Sequence, residues 1–246
     1  MRRNRWIILA AVVLLTCSAL LYTAHYLIFH QAHHIFIYLL GDAAFVPLEV
    51  LLVVIIIERV LAAREKRAIL GKMNMLIGMF FSELGTELLG MLTEAVQERQ
   101  GVFAALGVGR DWGAGDFRRA LAFARSGECK IDVTRLELGA LRDLLTDHRS
   151  ILTRLLGNPN LIEHEQFTNL LWAVSHLMEE LVARASLDDL PETDREHLAG
   201  DVARVYGRLT AEWVSYSRHL QSAYPYIFSV LTRTHPLQEN PDPTVR

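Results

Sequence analysis

The sequence predicts an all-α membrane protein: an N-terminal two-helix transmembrane hairpin, then a helical stalk, then a cytoplasmic helical bundle. Three observations carry that expectation. Two apolar runs, Trp6–Phe29 and Ile35–Ile57, each match the ~20 helical residues that cross a bilayer core. Basic residues, Arg2, Arg3 and Arg5 before the first run and Arg59, Arg64, Lys66 and Arg67 after the second, flank one side of such a hairpin. Beyond Arg67 the apolar residues recur at helical spacing, and no segment alternates as a strand would.

The first run holds no formal charge, and Trp6, Tyr22 and Tyr26 lie where aromatic rings favour a lipid interface. A cleaved signal peptide is the rival reading, with Cys17-Ser18-Ala19 as a cleavage site or Leu14-Leu15-Thr16-Cys17 as a lipoprotein box. Thr before the Cys is poor for such a box, and the apolar run continues well past Ala19. Both facts favour an uncleaved anchor. The positive-inside rule then puts both termini in the cytoplasm and the protein in the inner membrane, multi-pass.

The loop between the runs is short and carries His30, His33 and His34, with His25 nearby. One helical turn would bring the first three together as a metal or pH site. No carboxylate or thiol completes a metal shell there, so neutral histidines tolerated at the interface are the plainer reading. The second run has only two charges, Asp42 and Glu49, seven apart and so on one helix face. Carboxylates at that depth are costly and face protein or water. They serve either a structural role, neutral or hydrogen-bonded to the first span or to another subunit, or an ion or proton path. Pro47 lies between them and favours a kink. No TVGYG-like filter accompanies them.

No helix breaker intervenes between Ile57 and Gly71, so residues 59–100 read as a stalk and amphipathic helix. Leu70, Met73, Leu76 or Ile77, Phe80, Leu84, Leu88, Met91 and Ala95 form its apolar stripe. Gly71, Gly78 and Gly85 recur every seven residues and predict a face that another helix approaches closely. Lys72, Glu83 and Glu87 argue against a third span and for a helix at the membrane surface or in the bundle. The methionines Met73, Met75, Met79 and Met91 suit an adaptable core.

Residues 101–115 read as a Gly-rich loop. LGVGRDWGAG resembles a phosphate loop only in its glycines, since no Lys-Ser/Thr follows it. A bundle is expected over 116–232. Asp116 caps a helix that ends at Ser126-Gly127, and Thr134 to Glu137 has the capping-box pattern for a longer one. Its inward residues are Leu141, Leu144 or Leu145, His148, Ile151 or Leu152 and Leu155, and Gly157-Asn158-Pro159 stops it. The next helix runs from about Glu163 to Ala185. Pro191 and a second capping box, Thr193 to Glu196, open the last long helix, with Leu198, Val202, Val205, Leu209, Trp213, Tyr216 and Leu220 inward. Tyr224-Pro225-Tyr226 ends or bends it, and residues 233–246 read as a polar, disordered tail.

A chain of 246 residues with net charge −3 has no global field for nucleic acid. Cys17 and Cys129 supply no disulfide framework, which suits a reducing cytoplasm. Carboxylate-bridged di-iron bundles need inward Glu-x-x-His pairs, and none is present. His176 and Glu179 run in the reverse order, off the apolar face. His148 is expected to hydrogen-bond a neighbour such as Glu212. No G-x-S-x-G motif appears, and Cys129 has no nearby His.

The segments HHIFIYLLGDAAFVPLEVLL, KMNMLIGMFFSELGTELL and YPYIFSVLTRTHP resemble a group of prokaryotic two-span membrane proteins with a helical cytoplasmic domain. That resemblance implies the same hairpin and domain, and no activity. The expectation is therefore a non-enzymatic scaffold or signal-relay module without cofactor, catalytic residue or metal. Its partners would be the lipid bilayer, further copies of itself and a protein not identified by sequence. The alternatives are an ion- or proton-conducting assembly using Asp42 and Glu49, and a metal-binding bundle enzyme.

Overall fold

The computed structural model describes residues 2–30, 32–127, 129–159, 161 and 164–244, with side chains given from Leu9 onward and omitted at 32 and 66–70. The expected roles of Arg2, Arg3, Arg5, Trp6, Lys66, Arg67, Leu70 and Glu163 therefore lie outside the described side chains. The chain is all-α: among the described residues the only β pairing is an isolated bridge between Val96 and Ile131. It divides into two units, residues 1–66 and 67–246.

The first unit holds α1 (Arg2–Phe29) and most of α2 (Ala32–Phe80). Between them His30 adopts a left-handed φ of 52°, which ends α1 as its amide donates to the Tyr26 carbonyl at 2.9 Å. α2 continues through Pro47 without a break in the helix. The stretches Leu9–Phe29 and His33–Glu65 are long and apolar enough to cross a membrane, and none of either is buried in protein.

In the second unit α2 gives way to a π-turn at Phe81–Gly85 and then to α3 (Thr86–Glu94). The extra residue of a π-turn rotates the downstream helix relative to an unbroken α-helix. Phe80 and Phe81 are both fully buried as a result: Phe80 meets Phe167 edge-on at 5.4 Å, and Phe81 stacks on Tyr216 at 5.3 Å. Gly71–Glu94 is also long and apolar enough for a span, yet 44% of its apolar 18-residue stretch is buried inside this unit. Met73, Ile77, Leu84, Leu88, Leu89 and Leu92 supply core there, so these residues belong to the domain and not to a free stalk.

The remaining helices are α4 (Arg99–Leu106), α5 (Ala114–Ser126), α6 (Leu138–Asp147), α7 (Arg149–Leu156), α8 (Glu165–Ala183), α9 (Glu192–Ala223) and α10 (Pro225–Thr234). α9 is central, packed by α3, α5, α8 and α10. Its Leu198, Val202, Val205, Leu209, Trp213 and Leu220 are buried, as the 3.6-residue period requires. α5 starts where the Gly113 amide donates to Asp116 Oδ2 at 2.8 Å, and it ends at Gly127 with φ 71°, a conformation that favours glycine.

Several expectations need correction. Within the expected loop at 101–115, the apolar Val102 and Leu106 drive a helix, so the loop shortens to 107–113. The Thr134 capping box does not form: Asp132 accepts from the Thr134 amide at 3.1 Å and caps a single 3₁₀ turn, Val133–Arg135. The long helix expected after it breaks at His148 into α6 and α7. The tail is ordered through 244, because it carries apolar anchors. His235 and Leu237 are buried, His235 donates from Nε2 to the Val108 carbonyl at 3.3 Å, and the Asp242 amide donates to the Arg233 carbonyl at 2.9 Å. Met73 is core, but Met75 and Met79 face outward, being 66% and 40% exposed.

Candidate functional site

Asp42 and Glu49 lie on α2, both exposed, and neither hydrogen-bonds or ion-pairs with any described residue of the chain. A bond from them to the described part of the first span is thus not made. His30, His33 and His34 do not converge into a group close enough to share an ion. His34 instead rests near Tyr38, ring centroids 6.0 Å apart, and Tyr26 near His30 at 6.3 Å.

The three glycines do not act as one face. Gly71 is open to solvent, with nothing within 4 Å of where a Cβ would stand. Gly78 lies under Tyr216, whose hydroxyl would sit 2.9 Å from that Cβ. Gly85 faces its own π-turn, with the Phe80 and Phe81 rings at 2.6 and 2.7 Å. The turn breaks the seven-residue register that the sequence implies.

A cavity of about 380 Å³ opens between α5, α8 and α9. Arg125, Arg204 and Arg208 line it, with Glu212 buried at 3% exposure. Burial pushes the Glu212 carboxyl up to about 7, against a smaller opposing pull from Arg125. Arg125 donates to Gln166 Oε1 at 2.9 Å, and Arg208 to the Asn169 carbonyl at 2.6 Å. His148 does not reach Glu212. Its Nδ1 bonds the Leu144 carbonyl at 2.9 Å, the local partner that a helix break provides. His219 meets Asn74 at 3.3 Å, and burial lowers its pKa.

Among the described residues, a cluster of chemistry-bearing side chains bridges α8 and α9. His176 and Glu180 stand on one turn of α8, and His197 and Asp201 on one turn of α9. Their Nε2 and carboxylate atoms lie 3.5–3.9 Å apart. Arg184 clamps Glu180 at 2.9 Å and Asp194 at 2.6 Å, which holds both carboxyls below the usual range. Arg204 donates to Asp201 Oδ1 at 2.5 Å. His176, Glu180 and Asp201 are the group among the described residues near enough to one another to share a metal ion. The sequence pattern pairs His176 with exposed Glu179, one position short of this group. The signal that finds it is a repeated spacing: His-x₃-Glu on α8 and His-x₃-Asp on α9 set like pairs on facing helices.

Two family models match the chain. One, described as MJ1433, N-terminal helical domain, matches residues 2–61. The other, described as uncharacterized protein MJ1433, C-terminal helical domain, matches residues 69–233. The gap between them falls where the chain divides into its two units. A relative, the uncharacterized protein MJ1433 of Methanocaldococcus jannaschii, is 39% identical over 236 residues, covering 96% of this chain and 95% of its own. No solved structure matches.

Proposed function

The chain belongs to the MJ1433 family of two-domain helical proteins, and from that premise we propose that it is a membrane-anchored, non-enzymatic oligomer acting as a scaffold or signal-relay module. One observation carries the reading. The first unit offers two apolar helices with no protein burying them and, on one of them, two carboxylates with no partner among the described residues. Apolar surface on that scale calls for lipid, and unpaired acids at membrane depth call for protein or water beside them. The bilayer supplies the first, and a second copy of α2 supplies the protein neighbour for the acids. Arg59 and Arg64 then set the side of the membrane, with the helical domain in the cytoplasm.

The test is cross-linking of the full chain in native membranes, paired with reporter fusions at residue 33 and after residue 244. Expected are a ladder of defined oligomers and a cytoplasmic report from the C-terminal fusion. A monomer in lipid, or an external C-terminal report, overturns the reading. The same two acids favour conduction as a second reading. Liposome flux above background that falls in Asp42→Asn plus Glu49→Gln would select it.

A further inference from the structure

The facing turns of α8 and α9 have the dimensions of a coordination shell. Nε2 of His176 is 3.5 Å from Asp201 Oδ2 and 3.9 Å from Glu180 Oε1. Nε2 of His197 is 3.5 Å from the same Asp201 oxygen and 3.6 Å from Glu180 Oε2. Ligand atoms held about 2.0–2.1 Å from a tetrahedral ion lie ~3.4 Å from one another. The His–carboxylate distances exceed that by about 0.1–0.5 Å; the ligand atoms of His176, Glu180 and Asp201 all lie within 4.8 Å of one another, and His197, outside that group, joins it by a side-chain rotation.

An independent observation points to something between these groups. Asp201 is 2% exposed, and its Oδ2 accepts no hydrogen bond. A buried carboxylate oxygen without a donor is costly and uncommon. Its other oxygen is satisfied by Arg204, and one oxygen of Glu180 is satisfied by Arg184. The two guanidinium groups fix the carboxylates with Asp201 Oδ2 toward both imidazoles and Glu180 Oε1 toward His176, while His197 faces the Oε2 that Arg184 also holds. The imidazoles, 47% and 54% exposed, leave the space between them open to solvent.

We infer that His176, Glu180 and Asp201 bind one divalent transition metal ion of the zinc class, with His197 as a fourth ligand from α9. Two imidazole nitrogens and two carboxylate oxygens suit such an ion better than calcium or magnesium, which take oxygen ligands. The ion would staple α8 to the central helix. The inference rests on this cluster alone and is independent of how the first unit meets the membrane.

The test uses the full chain in detergent, stripped with a chelator and titrated with zinc or cobalt alone. Expected are one zinc retained per chain after desalting, visible absorption of tetrahedral cobalt, and a rise in Tm with added zinc. His176→Ala removes an exposed ligand with little cost to packing, and its fold is checked by circular dichroism. It should weaken zinc binding at least tenfold, while Glu179→Gln binds as the parent does. A parent protein that retains no more zinc than His176→Ala, or cobalt spectra of the hydrated ion only, overturns the inference.

Discussion

His235 lies against the indole of Trp213, ring centroids 5.8 Å apart, and at 1% exposure it is as dry as the leucines around it. Two residues on, Leu237 is fully buried, and Pro236 Cβ lies 3.4 Å from where a Cβ on Gly90 would stand. The segment after α10 is therefore part of the core. Leu237→Ala should cost about 2–4 kcal/mol, as for other fully buried leucines. Chemical denaturation of the parent and variant in detergent measures it. A loss below about 0.5 kcal/mol would show that the segment contributes no core.

Buried Glu212 and buried His235 should give opposite pH slopes. The Glu212 carboxyl is raised by burial to about 7, from ~4.3 when unfolded. Its favourable contribution is complete below ~4.3 and is lost as pH climbs through about 7. His235 is lowered by burial to about 4, from ~6.5 unfolded, so its contribution is complete above ~6.5 and is lost as pH falls through about 4. Glu212→Gln should gain on the parent by about 2 kcal/mol between pH 4.5 and 7, and His235→Gln should gain as pH falls over the same window. Melting curves at several pH values read both. A gap between Glu212→Gln and the parent that does not vary with pH contradicts the assignment.

The three glycines should respond differently to alanine. Gly71→Ala meets open space and removes a flexible helical position, so stability should stay level or rise by up to about 1 kcal/mol. Gly78→Ala displaces only the end of the Tyr216 side chain and should cost little. Gly85→Ala puts a methyl into two phenyl rings and should cost about 1–3 kcal/mol. Thermal melts rank them. Equal losses at all three positions would restore the idea of a single packing face.

Asp42→Asn plus Glu49→Gln should reduce cross-linked oligomer severalfold while leaving the protein in the membrane fraction, since the apolar length of α2 is unchanged. Unaltered cross-linking would mean that the acids play no part in association.

Period-3.6 patterning makes the core legible. The apolar residues at helical spacing on α8, Phe167, Leu170, Leu171, Val174, Leu177, Met178 and Leu181, are all buried, and the inward residues expected for α9 are buried except Tyr216, which is half-buried. Patterning is blind to local events. The π-turn at Phe81–Gly85 changes register without any proline, and the break at His148 has no glycine to announce it. The α8–α9 cluster is half legible. Each His–carboxylate pair stands in the sequence at spacing four, but only the packing of the two helices sets the pairs opposite each other. Glu180 is hard to single out because Glu179 beside it offers an equal carboxylate on another side of the turn.

The π-turn also bears on how this chain can vary. An α-helix turns about 100° per residue, so inserting one residue between Phe81 and Gly85 would swing Leu88, Leu89 and Leu92 toward water by about that angle, whereas deleting one would convert the π-turn to α-helix and leave those leucines facing the core. Point substitutions on the outer side of this stretch should be forgiven, and so should loss of the one extra residue, but a longer stretch should not. Across relatives the stretch from Met73 to Leu92 is then expected either to keep this length or to lack the π-turn and be one residue shorter, while the loops drift.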